Sequence, residues 1–190
     1  MADNCKTRIA KIKKCADNAG GNASGIVTTL KVAFKGHVDQ VPAPDTDTSV
    51  VSADIVMVAD TRTEAQITAG DPAEAVPGLF YDIDLSEIGL TYTTEEEGEA
   101  EDGNIVHVLT GIIPKMSAAK NYILDGMRGG VEHVVVFTDR NRIPWLMGDD
   151  YEGATVTVTP QTNDRNGYNI TVRWRTARLL YSYTGALAQE

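Results

Sequence analysis

The chain is poor in the residues that build metal centres and disulfide frameworks. Of its 190 residues only two are cysteines, Cys5 and Cys15, both near the N-terminus. Two thiols cannot form a four-ligand zinc site, and no nearby histidine completes one. They read as reduced thiols in a short helix or arm, or as a disulfide if the chain is oxidised. No stretch approaches the roughly 18 apolar residues of a spanning helix, so no membrane span is expected. The opening MADNCKTRIAKIKKC is basic but lacks the apolar centre of a secretory signal. Asn22-Ala23-Ser24 and Asn169-Ile170-Thr171 therefore read as chance matches to the glycosylation pattern.

Local catalytic fingerprints are missing too. There is no GxxxxGK[ST], no GxGxxG and no GxSxG, and Ser24 lies outside any nucleophile elbow. The three histidines, His37, His107 and His133, share no local metal-ligand spacing. They are expected to be hydrogen-bonded or exposed. Asp82 and Asp84 fall on one strand face, where two carboxylates can hold a cation or an acid–base pair, but no partner is identifiable and they read as surface carboxylates. Asp149-Asp150 beside a glycine reads as turn chemistry. No catalytic residue, metal ligand or cofactor is expected.

What is present is apolar content of 42%, enough for a core, and a formal net charge of -10. Such a surface repels free nucleic acid and keeps monomers soluble. The length suits one domain with an arm. Residues 1–25 form the arm: Lys6, Arg8, Lys11, Lys13 and Lys14 crowd around Ile9 and Ile12, and AGGNASG at Ala19–Gly25 stops any helix. A basic arm on an acidic body invites contact with a neighbouring subunit; the alternative is a solvated terminus.

Residues 26–190 read as one β-rich domain. Ile26–Phe34 has strand character. A long polar loop is expected near 35–49, carrying Pro42 and Pro44, and strand character returns over Val50–Ala59. Leu79–Thr94 reads as one bent strand or two short ones. The run EEEGEAED at Glu95–Asp102 reads as the charged tip of a hairpin, an acidic loop near 95–103 completed by a strand at Ile105–Ile113. Glu95, Glu96, Glu97, Glu99, Glu101 and Asp102 repel one another unless solvated or paired. The loop is either free in solvent or meets the basic arm; the run lacks the alternating ligands of a calcium loop. Pro114–Gly129 is the best helix candidate, with Met116, Ala119, Tyr122, Ile123 and Met127 as an apolar face for packing on a sheet.

The last third is the most legible. Val134, Val135 and Val136 are consecutive, which suits a strand buried on both faces. Pro144 suggests an edge or a bulge. Val156 and Val158 alternate with Thr155, Thr157 and Thr159. Tyr168, Ile170, Val172 and Trp174 share one face, and Asn169, Thr171, Arg173 and Arg175 the other. Arg173 and Arg175 suit a solvated face, or pairing with the acidic loops across strands or between subunits. Nucleic-acid contact fits poorly, because no basic patch interleaved with aromatics accompanies them.

The words VVVFTDRNRIPWLMG at Val134–Gly148, NDRNGYNITVRW at Asn163–Trp174 and GIIPKMS at Gly111–Ser117 resemble small virion proteins of tailed bacteriophages, most closely the tail tube proteins. The resemblance spans Leu79–Tyr183. It implies a mainly β fold in which two packed antiparallel sheets form a sandwich or partial barrel with one flanking α-helix. It further implies a homo-oligomer: hexameric rings that stack, join their inner sheets around a channel, contact other virion proteins and pass DNA. The protein would be made in the host bacterial cytoplasm and reside in the virion. The acidic loop and the Lys-rich arm would bridge rings. Another virion component (head–tail connector, tail terminator or capsid decoration protein) is the alternative, followed by a carbohydrate-binding β-sandwich or hydrolase.

Overall fold

A computed structural model describes residues 26–45, 48–59, 78–87, 89–97, 104–161 and 166–188. Ten of its strands form one sheet that curls into a half-barrel. The strands are β1 (Ile26–Phe34), β2 (Val38–Gln40), β3 (Val50–Val51), β4 (Val56–Met57), β5 (Tyr81–Asp84), β6 (Thr91–Glu97) and β7 (Asn104–Pro114). Helix α1 (Ala118–Gly126) follows, then β8 (Glu132–Asp139), β9 (Pro144–Met147), β10 (Ala154–Gln161), β11 (Gly167–Thr176) and β12 (Tyr181–Tyr183). The polar stretch expected as a loop near 35–49 holds a 3-10 turn, Lys35–His37, and β2. With β4, β2 makes a second sheet of two strands. The chain is thus mainly β, with one large sheet and one small one.

Strand β8 organises the sheet. One edge pairs with β1, from His133 opposite Phe34 to Asp139 opposite Ile26. The other edge is shared: β9 pairs with Val135–Thr138, and β10 with Glu132 and His133. From β9 the sheet continues through β12 to β3, and from β10 through β11 and β7 to β6. The two branches part at the Gly148–Gly153 turn. A Cβ on Gly153 would sit 2.6 Å from the Glu132 Cβ and 3.0 Å from the His133 nitrogen, so only glycine lets the chain pass this close.

Both faces of β8 are buried, as its three consecutive valines suggest. Val135 and Phe137 join the larger core, with Leu30, Leu109, Ile170, Val172 and Trp174. Val134 and Val136 join a second core, with Phe80, Val51, Leu146 and Tyr183. Pro144 is not at a sheet edge: β9 lies between β8 and β12, and the proline is its first residue, opposite Thr138. The first position of a strand tolerates a missing donor. The curl of the sheet brings the β5–β6 connection over β7, where a Cβ on Gly111 would meet the Leu85 side chain at 2.7 Å.

Helix α1 is shorter than its sequence suggests. Pro114 ends β7 rather than opening the helix, and Lys115 takes a left-handed φ of 62°. Ser117 is the N-cap, accepting from the Lys120 amide at 3.2 Å. The packing face also differs. Leu124, with Met127 at the C-cap, makes the buried contact, while Tyr122 is 85% exposed and Ile123 61%. A nine-residue helix presents too few turns to bury a full stripe, so Leu124 is its one buried residue and the rest of its apolar content faces outward.

Candidate functional site

The open face of β10, β11, β7 and β6 is a regular polar surface spanning four strands. Directly paired residues of an antiparallel sheet share a face, so the register sets its rows. Thr157, Thr171, Thr110 and Thr91 form one straight row across four strands. Within it the Thr91 and Thr110 hydroxyls lie 2.7 Å apart. The next row is Thr155, Arg173, Val108 and Thr93, and beyond it Arg175, Val106 and Glu95.

Each arginine reaches diagonally across β7 to a glutamate of β6. Arg173 Nη2 lies 3.2 Å from Glu95 Oε2, and Arg175 Nε 3.5 Å from Glu97 Oε2. Val106 and Val108 are buried between the two strands of charged side chains, although they point to the polar face. The aliphatic stems of long polar residues shield such positions from water. The four charges cancel, leaving hydroxyls and closed ion pairs.

Three residues expected in the acidic loop therefore belong to a strand. Glu95, Glu96 and Glu97 pair with Val106, Ile105 and Asn104. Their alternation places Glu95 and Glu97 beside the arginines and Glu96 on the other side. The pairing read for Arg173 and Arg175 exists within one molecule, across strands. Glu99, Glu101 and Asp102, and the arm residues Lys6, Arg8, Lys11, Lys13 and Lys14, lie outside the described residues. Strand β6 ends the sheet path, and among the described residues its second edge pairs with nothing.

The opposite face of the same strands carries a buried polar stack. His107 lies across from Trp174, ring centroids 5.6 Å apart, and against Tyr92 at 6.1 Å. The His107 Nε2–H donates to the Arg178 carbonyl at 2.9 Å, so Nδ1 accepts from the Tyr92 hydroxyl at 2.7 Å. Burial lowers the His107 pKa from 6.5 and pushes Tyr92 up to about 12. With both ring nitrogens engaged, the imidazole ties β7 to β6 and to the backbone at Arg178. Sequence placed His107 in a strand but offered no signal for its partner at Arg178, 71 residues away.

His133 is fully buried, and neither ring nitrogen has a hydrogen-bond partner. Phe34 lies against its ring at 5.0 Å. Backbone groups of Ala154 and Val131 are near enough to oppose the burial effect but lack hydrogen-bond geometry, and burial lowers its pKa. The remaining acidic candidates have partners. Asp82 pairs with Lys31 at 2.8 Å and Asp84 accepts from Thr29 at 3.0 Å. Asp139 accepts from the Ile143 amide and the Trp145 indole, and Asp149 from the Tyr151 and Glu152 amides. Asp150 accepts from the Val41 amide at 3.2 Å. Among the described residues no cluster of histidine, cysteine and carboxylate side chains is arranged to hold a metal, and no helix is long and apolar enough to cross a membrane. Comparison with protein-family models, curated proteins and solved structures found no match.

Proposed function

We propose that the chain is a structural subunit of a phage tail tube, self-assembling into stacked rings around a channel that conducts DNA. The observation that carries this reading is the four-stranded polar face ending in β6, whose second edge is unpaired among the described residues. An unpaired strand edge is a template for another strand, and natural proteins cover, charge or close such edges. In a ring, each copy's edge meets its neighbour, so closure satisfies backbone groups that a monomer leaves to water.

The face suits a channel wall. Unpaired arginines would hold phosphate by Coulomb attraction, and each phosphate contact adds affinity that slows passage. With Glu95 and Glu97 closing Arg173 and Arg175, the wall offers neutral hydroxyl rows inside a protein of net charge -10. On this reading the half-barrel and the β2–β4 sheet are the unequal layers of a sandwich, and α1 flanks it on the outside. The virion is then its location, and further copies and other virion proteins its partners.

Sedimentation velocity over a concentration series, with wild type and Thr93→Lys, tests the edge. Thr93 is an exposed residue in the middle of β6. The wild type is expected to form large particles, and the lysine variant to remain a folded monomer. Equal assembly of the two would remove the β6 edge from the interface.

A further inference from the structure

Helix α1 leaves a groove open. It has a volume of ≈ 930 Å³ and runs between the helix and the β1–β5 pair. Its walls are apolar: Phe34 and Ile83 from the strands, and Tyr122, Ile123 and Met127 from the helix side. Tyr122 and Ile123 are the same residues that the helix fails to bury. Asp125 borders it on the helix side, beside Arg128, while Asp82 adds to its edge with a carboxylate turned to Lys31 on the other face of the β1–β5 pair. An apolar trough with a carboxylate on its border, on a strongly negative body, calls for an apolar segment flanked by positive charge.

The chain contains one such segment. Ile9 and Ile12 stand three apart, and Arg8, Lys11, Lys13 and Lys14 surround them. Residues 1–25 hold five of the 17 basic residues and only two of the 27 acidic ones, so the arm is positive and the body strongly negative. We propose that Arg8–Lys14 occupies this groove on its own molecule, with Ile9 and Ile12 against Tyr122 and Ile123 and the lysines toward Asp125.

Reach permits it. The fourteen steps from Ile12 to Ile26 span up to roughly 46–50 Å when extended. The groove begins at Val32, six residues along β1 from Ile26, or about 20 Å. Gly20, Gly21 and Gly25 supply the freedom for the chain to double back along β1. Tethering favours the same molecule: a short connection holds the segment at an effective concentration on the order of millimolar, far above a neighbour's in dilute solution. The inference stands apart from the tube reading, since it concerns the unassembled chain.

Cys5 and Cys15 are the only thiols of the protein, so the arm carries its own labelling sites. The test is a nitroxide on Cys15 in the full-length Cys5→Ser protein, at a concentration where it is monomeric, read by paramagnetic broadening of backbone amides. Amides of Tyr81–Ile83 and Tyr122–Met127 are expected to broaden most. Ile9→Ser with Ile12→Ser, on the arm, and Ile123→Asp, in the groove, should each abolish that selectivity. Because Ile123 is a surface residue, its variant should keep the wild-type amide spectrum elsewhere. No selective broadening, or broadening that survives both variants, overturns the proposal. So does broadening that appears only when spin-labelled and isotope-labelled chains are separate molecules, which would give the groove to a second copy's arm.

Discussion

Trp174 shows how much a single residue carries here. Its ring is buried in the larger core against His107, and its indole N–H donates to the Glu152 carbonyl at 3.2 Å. Trp174→Ala removes that volume from a sheet that cannot collapse around it, and should cost about 3–5 kcal/mol in urea or thermal unfolding. Near-wild-type stability would mean the ring is not a core contact. His107 and His133 make stability depend on pH. Burial lowers both pKa values from 6.5, so the unfolded chain takes up protons first as pH falls. The stability held by the neutral imidazoles is complete above about pH 6.5 and is lost as pH falls below it toward the lowered folded values. His133→Leu removes two buried nitrogens without partners, so it should be neutral or stabilising at pH 7 and should flatten the acid limb. Urea midpoints measured from pH 8 to 5 check this; an unchanged slope would contradict it.

At the scale of elements, the legible strands are those whose environment is uniform along their length. β11 has one face wholly in the core, so strict alternation from Tyr168 to Trp174 predicts both faces. β8 is buried on both sides, and consecutive valines predict that too. Helix α1 was half legible: apolar spacing within Pro114–Gly129 announces it, but its start lies past Pro114, at the Ser117 cap, and its apolar residues split between core and groove, which periodicity cannot divide. Glu95–Glu97 extend β6 instead of opening the acidic loop, although like charges repel in an isolated hairpin. Arg173 and Arg175, 78 residues from their partners, remove that repulsion, and no local pattern announces them. Both pairs are about half exposed, so their net contribution should be below about 1 kcal/mol. A double-mutant cycle with Arg173→Ala and Glu95→Ala should show that small coupling in unfolding. A coupling of several kcal/mol would make the pair a fold determinant instead of a surface neutraliser.

For the whole molecule, charge and shape point the same way. Among the described residues the second edge of β6 is unpaired, and the face that ends there carries closed ion pairs. Charge alone was readable from composition; the neutral face needed the register of four strands, to which residues from 91 to 176 contribute. Deleting residues 1–20 should leave the body folded and alter assembly, since the arm carries the molecule's densest positive charge. Equal particle yield after deletion would exclude the arm from assembly. The most direct measurement is electron microscopy of the purified, concentrated wild-type protein. Stacked rings with a central channel are expected, lined by the threonine rows and the Arg173–Glu95 and Arg175–Glu97 pairs. A monodisperse monomer at every concentration would contradict self-assembly, and a single closed ring that never stacks would contradict the tube.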